Sequence, residues 1–472
     1  MLRARRFGSI LRLLVGALAF VVSAPTSAAS PYGASDARID DDLVIGESVR
    51  VRVLERERAS EVMLTGDAGL TLIDRDGGTP VATLQPGTRV TLKSEYGRIY
   101  VYLPRRVVSV LGLRAEPGLG GTVAISAGRT TRRYEGSLAI DDDRGRLRLV
   151  NTVPLEAYVA SVTAGEYPFQ EIEGVKAQAV LARTYALRSR GKRGAYDLVD
   201  HTADQVYHGA DRTTEITRAA AVATAGQVLV YNGRFAETVY SSSNGGYISA
   251  NETAWRGAPV PYLRARPDPY DRNTPHERWQ TTKPAGEVHR ALGRAAGFTV
   301  RSFEITRRSA EGRVTEVRLS GSRNAPMSGS AFRAAMSRAF GIMAVRSTYF
   351  EVERRGGSYV FSGQGFGHGV GMSQYGARGQ AQAGRHYEDI LAFYFEGTRL
   401  TETRPSFGPE RPLLTGVDAD ADALRAAVES AEAPAVDTEA HANEGPRGWA
   451  DGFDEPTASL PFEGRPDRRI AW

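Results

Sequence analysis

The sequence predicts an α+β fold in which a β-rich N-terminal region continues into a mixed core. Three observations carry this. Apolar residues alternate at strand spacing through about 45–155, only two long helical patterns follow, and the strands then resume around hairpin turns without regular helix and strand alternation. Taken in order, Val49, Val51 and Val53, then Val90 and Leu92, then Ile99, Val101 and Leu103 each mark one buried face of a strand. The runs 134–140 and 147–150 flank the turn Asp141-Asp142-Asp143-Arg144-Gly145 and predict a hairpin. Helices are expected over 155–164 and 172–190. In the second, Val175, Ala179, Ala182 and Ala186 form a small-residue stripe, with Gln178, Arg183 and Tyr185 off it. A short helix from Ala219 leads to strands 227–231 and 235–240, joined by Asn232-Gly233, which deliver the loop Ser241-Ser242-Ser243-Asn244-Gly245-Gly246. Residues 285–355 read as an embedded mixed subdomain. Beyond 400 the chain is rich in Ala, Asp, Glu and Pro, a composition expected to stay disordered.

Composition narrows the chemistry. The 472 residues contain no cysteine, which excludes disulfides, thiolate metal sites and a thiol nucleophile. Arg3, Arg5, Arg6 and Arg12 precede the apolar run 13–22 and then Ala24, Ser27, Ala28 and Ala29, the pattern of an export signal over 1–29. The alternative is an uncleaved anchor, although the run falls short of the roughly 20 residues a span needs. From 405 to 472 there are 14 Asp and Glu against 6 Lys and Arg, so the formal +5 of the whole chain leaves +13 on the remainder. A basic exported domain suits an anionic wall polymer or a membrane surface, and the export signal argues against nucleic acid.

Three segments hold residue types suited to chemistry. Glu166, in Gly165-Glu166-Tyr167-Pro168, is expected on a rigid turn after a helix, where Tyr167 and Phe169 would partly desolvate a carboxyl group and favour its protonated form. The bland alternative is a solvated or capping Glu. Gly363 to Gly371 packs five glycines into nine positions, a run that signals a sharp turn or close backbone approach to a ligand, with Ser373 as N-cap of a following helix. It is neither a phosphate-binding P-loop nor a dinucleotide fingerprint. The 241–246 loop and Asp204-Gln205-Val206-Tyr207 carry the hydroxyls, amides and aromatic ring that read sugars. None of the seven histidines has a tight metal-binding spacing, and His201 and His208 read as loop residues.

In order along the chain, Pro154-Leu155-Glu156-Ala157-Tyr158-Val159, Gly165-Glu166-Tyr167-Pro168, Lys176-Ala177-Gln178-Ala179-Val180-Leu181-Ala182-Arg183-Thr184-Tyr185-Ala186, Asp204-Gln205-Val206-Tyr207-His208-Gly209, Ser243-Asn244-Gly245-Gly246 and Gly367-His368-Gly369-Val370-Gly371-Met372-Ser373-Gln374-Tyr375-Gly376-Ala377 resemble the SpoIID/LytB family. The resemblance covers about 130–400, leaving 30–129 as a β-rich region and 401–472 as an acidic tail. It implies a peptidoglycan lytic transglycosylase that leaves 1,6-anhydro ends, often on strands stripped of stem peptides, with Glu166 as catalytic residue. It further implies that Gln178, Arg183, Gln205, Tyr207, Ser243, Asn244, Gly245, Gly246, His368, Ser373, Gln374 and Tyr375 line a glycan groove. Zinc-carrying members use Cys and His near positions that hold Asp204 and Ser241 or Ser242 here, so no metal or other cofactor is expected. Asn244 stands where Ser is usual. The expected partners are glycan strands and, since LytB-like relatives act as modifiers of other wall enzymes, a wall amidase.

Overall fold

The computed structural model describes residues 48–403 apart from 256. The export-signal and acidic-tail expectations lie outside the described residues. As expected, a β-rich region precedes a core that mixes helices and strands. Twelve strands from Ser48–Val53 to Leu147–Pro154 form most of two sheets. In the larger, Ser48–Val53 pairs antiparallel with Leu147–Pro154 and parallel with the short strand Leu198–Val199. Strict alternation sets the faces, since Val49, Val51 and Val53 are buried while Arg50 and Arg52 are only partly covered. The predicted 141–145 hairpin joins Ser137–Asp142 to Leu147–Pro154.

Helix α1 (Leu155–Glu166) and helix α2 (Ile172–Ser189) follow. Helix α1 runs two residues past the predicted end, because Pro168 holds Tyr167, not Gly165, in an extended conformation (φ −118°, ψ 98°). Helix α2 is covered on more than the predicted stripe. Ala179, Ala182 and Ala186 join the cluster formed with the N-terminal strands, while Val175, Ala177, Val180 and Leu181 join a second cluster with Leu229, Val239, Met372 and Phe395. A third cluster, from Trp279 to Phe361, is centred on Phe332, Phe350 and Phe361.

The double burial of α2 explains two corrections. Arg183 does not line a groove. It is fully buried and its guanidinium donates to Glu156, to the carbonyls of Ala221 and Gln227 (both 3.1 Å) and to the Thr224 hydroxyl, tying α1, α2 and helix α3 (Glu215–Ala223) together. Gln178 is equally buried, and neither atom of its amide has a partner within the protein. Strand 227–231 forms as expected, with Asn232 (φ 50°) and Gly233 (φ 71°) in the turn, but its partner is only Arg234–Phe235. Ala236 N–H still donates to the Leu229 carbonyl (2.9 Å), and beyond it side chains take part: the Tyr262 hydroxyl accepts from Glu237 N–H, and the Thr238 hydroxyl donates to the Leu181 carbonyl. Strand Arg399–Glu402 covers the other edge.

Replacing Arg183 by Met strands two buried carbonyls and the Glu156 carboxylate, so urea denaturation is expected to show a loss of about 3 kcal/mol or more. Arg183→Lys, which keeps the charge without the fork, should recover only part of it.

Candidate active site

Glu166 is the last residue of α1 and half-buried. Its Oε1 accepts the Val206 backbone N–H at 2.7 Å. That approach requires Gly165, since a Cβ there would sit 2.7 Å from the Val206 carbonyl oxygen. The Glu166 carbonyl accepts from the Gln374 amide at 2.7 Å, so the start of the helix Gln374–Gln382 is docked onto the end of α1.

A chain of polar groups leads to the carboxylate from the protein interior. The Tyr158 hydroxyl donates to Gln205 Oε1 (3.1 Å), and Gln205 Nε2 donates to the Tyr240 hydroxyl (3.2 Å). Tyr240 hydrogen-bonds Glu166 in turn. Burial, then the Glu166 charge, push the Tyr240 pKa well above its ordinary value, so this phenol stays a donor. His368 hydrogen-bonds the Tyr240 backbone and packs against Trp255 (4.8 Å between rings), and its Nδ1 accepts from Val370 N–H. Burial, aided by Arg333, pushes its pKa down to about 3, which makes His368 a neutral prop.

The Gly-rich segment and the 241–246 loop zip together. Ser243 and Phe366 exchange both backbone bonds (3.0 and 2.8 Å), and Tyr240–Ser241 runs parallel to Met372–Ser373. Here the glycines serve backbone packing: a Cβ on Gly371 (φ 67°) would meet the Val239 carbonyl oxygen at 2.1 Å. Beneath lie two buried carboxylates. Asp271 accepts from Ser243 Oγ (3.0 Å), Ser373 Oγ (3.1 Å) and the N–H groups of Asn244 and Gly245; Asp268 accepts from the Asn244 amide (2.6 Å) and the Tyr394 hydroxyl (2.7 Å). Ser373 caps its helix as expected, through Gly376 N–H at 3.1 Å.

Of the residues expected around the groove, Gln374 bonds the Glu166 carbonyl, and Gln205 and His368 connect to Glu166 through Tyr240. Ser243, Asn244, Gly245 and Ser373 instead satisfy the Asp268 and Asp271 carboxylates, while Gly246 shapes the loop at φ 86° and bonds to Asn244 Oδ1. Tyr207 offers no stacking face. It is fully buried between Tyr134 and Tyr158, with its hydroxyl on Asn151 Oδ1 at 2.7 Å. Asp204 is held by Tyr185, Arg193 and the Val199 N–H. Three residues after Glu166, Phe169 begins a row of half-buried rings: Tyr375 meets it edge-on at 4.8 Å, and His276 meets Tyr375 at 5.6 Å. Sequence reading missed Tyr158, Tyr240, Asp268 and Asp271. Only the Asp-Pro-Tyr-Asp spacing at 268–271 could have flagged the carboxylates, and it looks the same on a surface loop.

Burial, then the neighbouring Asp268, raise the Asp271 pKa to about 6 from 3.8. The folded protein therefore binds more protons than the unfolded chain between these values, and stability falls as pH rises through that window. The shift corresponds to a loss on the order of 3 kcal/mol between pH 4 and 6. Thermal unfolding across this range should show the slope in the wild type and a flatter profile in Asp271→Asn.

Comparison with known proteins gives the family. A model described as stage II sporulation protein matches residues 143–231, and a domain of unknown function matches 269–371. The chain is 30% identical over 323 residues to stage II sporulation protein D of Bacillus amyloliquefaciens, covering 64% of this chain and 90% of that protein. The Bacillus subtilis protein of that name is 32% identical over 271 residues, 54% of this chain and 76% of the relative. An amidase enhancer of Bacillus subtilis is 32% identical over 277 residues, 49% of this chain but 38% of that protein. With 30% identity to a relative that is covered almost end to end, the chain belongs to the SpoIID family.

Proposed function

We propose that this protein is an exported peptidoglycan lytic transglycosylase in which Glu166 is the single acid and base. The observation that carries the reading is the setting of Glu166: a half-buried carboxyl group that accepts the Val206 N–H and hydrogen-bonds Tyr240, three residues before the ring that begins an aromatic row. Such a group protonates the glycosidic oxygen between the muramyl and glucosaminyl residues as the C1–O bond breaks. The resulting carboxylate takes the proton of the muramyl 6-hydroxyl as that oxygen closes on C1, and the product is a 1,6-anhydro ring. Neither a second catalytic carboxylate nor an attacking water is needed, in contrast to the paired carboxylates of hydrolases. Tyr240 and Val206 N–H supply donors that stabilise the carboxylate once its proton has left. Phe169, Tyr375 and His276 offer apolar ring surface against which a pyranose packs. The basic character of the chain before the acidic tail favours anionic wall glycan.

Mass spectrometry of products from whole peptidoglycan and from peptide-free glycan strands tests this. The wild type should yield anhydromuramyl ends, and Glu166→Gln, whose amide oxygen can still accept from Val206, should fold but lose about a thousandfold in rate. Reducing ends would mean hydrolysis. Binding without any soluble product would favour the second reading, a wall-binding modifier of an amidase, which rests on the amidase enhancer relative. Tyr240→Phe should lower kcat roughly 10- to 100-fold, the worth of one hydrogen bond to a charged group, with little change in KM.

A further inference from the structure

Away from Glu166, the turn of the 137–154 hairpin leans against the corner at 54–58 and encloses a cavity of about 480 Å³ lined by Arg52, Arg58, Arg144 and Arg146, with Glu55 and Asp143 as its acids. Both acids are engaged. Glu55 lies 3.5 Å from Arg52 and 2.9 Å from His201 Nε2, and Asp143 lies 3.4 Å from Arg52. Arg146 donates to the Arg58 carbonyl at 2.7 Å. Among the described residues no carboxylate lies within ion-pair distance of Arg58, Arg144 or Arg146, and the four arginines of the concavity outnumber its two acids, which leaves it a net positive charge. Such a cluster of guanidinium groups favours a multivalent anion.

The backbone supplies an independent observation. Leu54 (φ 52°), Arg58 (φ 48°) and Arg144 (φ 58°) all adopt the left-handed conformation, and all three line this cavity. Large side chains avoid this region, where glycine or asparagine would sit with less strain. Arg144 with Gly145 (φ 78°) makes the two-residue hairpin turn and Arg58 closes the turn at 55–57, so two tight turns bring long cationic side chains to the same cavity.

We propose that this cavity is an anion site that takes a phosphate or phosphodiester group on a carbohydrate-sized ligand. Three planar forks match the several oxygens of a phosphate better than the two of a carboxylate, and the volume accommodates the group with an attached small unit. The site uses no residue of the Glu166 network, so its fate is independent of the transglycosylase reading.

Isothermal titration with inorganic pyrophosphate and with a glycerol phosphate oligomer, at fixed ionic strength, tests the assignment on wild type, Arg58→Gly/Arg144→Gly and Arg144→Asn. The expected result is saturable binding by wild type, weakened at least tenfold in the double variant and severalfold in Arg144→Asn, with melting temperatures of both variants equal to or above that of wild type as strain is relieved. Tighter binding of the oligomer assigns a polymer, and binding of pyrophosphate alone assigns a small phosphorylated ligand; either keeps the site. Equal affinity in wild type and variants, equal binding of malonate, or lower melting temperatures without a change in affinity overturns it.

Discussion

Arg183 reaches from the middle of α2 to the Glu156 carboxylate on α1, to one carbonyl in the last turn of α3 and one beyond it, and to the Thr224 hydroxyl. A buried guanidinium is tolerable only when its donors are met, and here one group meets orphaned carbonyls at the end of a helix and the start of a strand. This fixes α1 against α2. The position of Glu166, at the far end of α1, then depends on an ion pair whose residues take no part in the chemistry proposed for it.

From that frame the site is assembled mostly by backbone. Val206 N–H, the Glu166 carbonyl and the bridge between Ser243 and Phe366 hold segments separated by as much as 208 residues in the chain. Glycines at 165 and 371 let main chains approach where any side chain would collide. Asp268 and Asp271 anchor the loop from below, and Asp271 does so at a cost that grows once its proton is lost. Rigidity at Glu166 comes with polar groups placed in the interior, most of which, like Gln205 and Tyr240, meet one another.

The legible parts were those governed by local rules. Strand alternation at Val49, Val51 and Val53, the Asn232-Gly233 turn and the Ser373 cap each express a preference of a few neighbouring residues, and the structure shows all three. The ordered motifs marked the family and Glu166. Arg183, Tyr207 and Ser243 were misread as groove residues because a motif records that a residue is needed and does not record whether it faces ligand or core. Tyr240 went unnoticed because a tyrosine in a short strand carries no local signal; its role depends on Gln205 and His368, 35 residues before it and 128 after it in the chain.

By itself the sequence determined the α+β class, the strand faces, the two long helices and the carboxyl group at the end of the first, since periodicity, turn chemistry and the bar on helical geometry before proline act within a few residues. Only the tertiary structure decided that α2 is buried on both sides, that the loop hydroxyls serve buried carboxylates, and that three strained or cationic positions converge at 54–58 and 143–146. These are long-range outcomes. Burial, and with it the charge and partner of every polar group, depends on what the rest of the chain brings alongside.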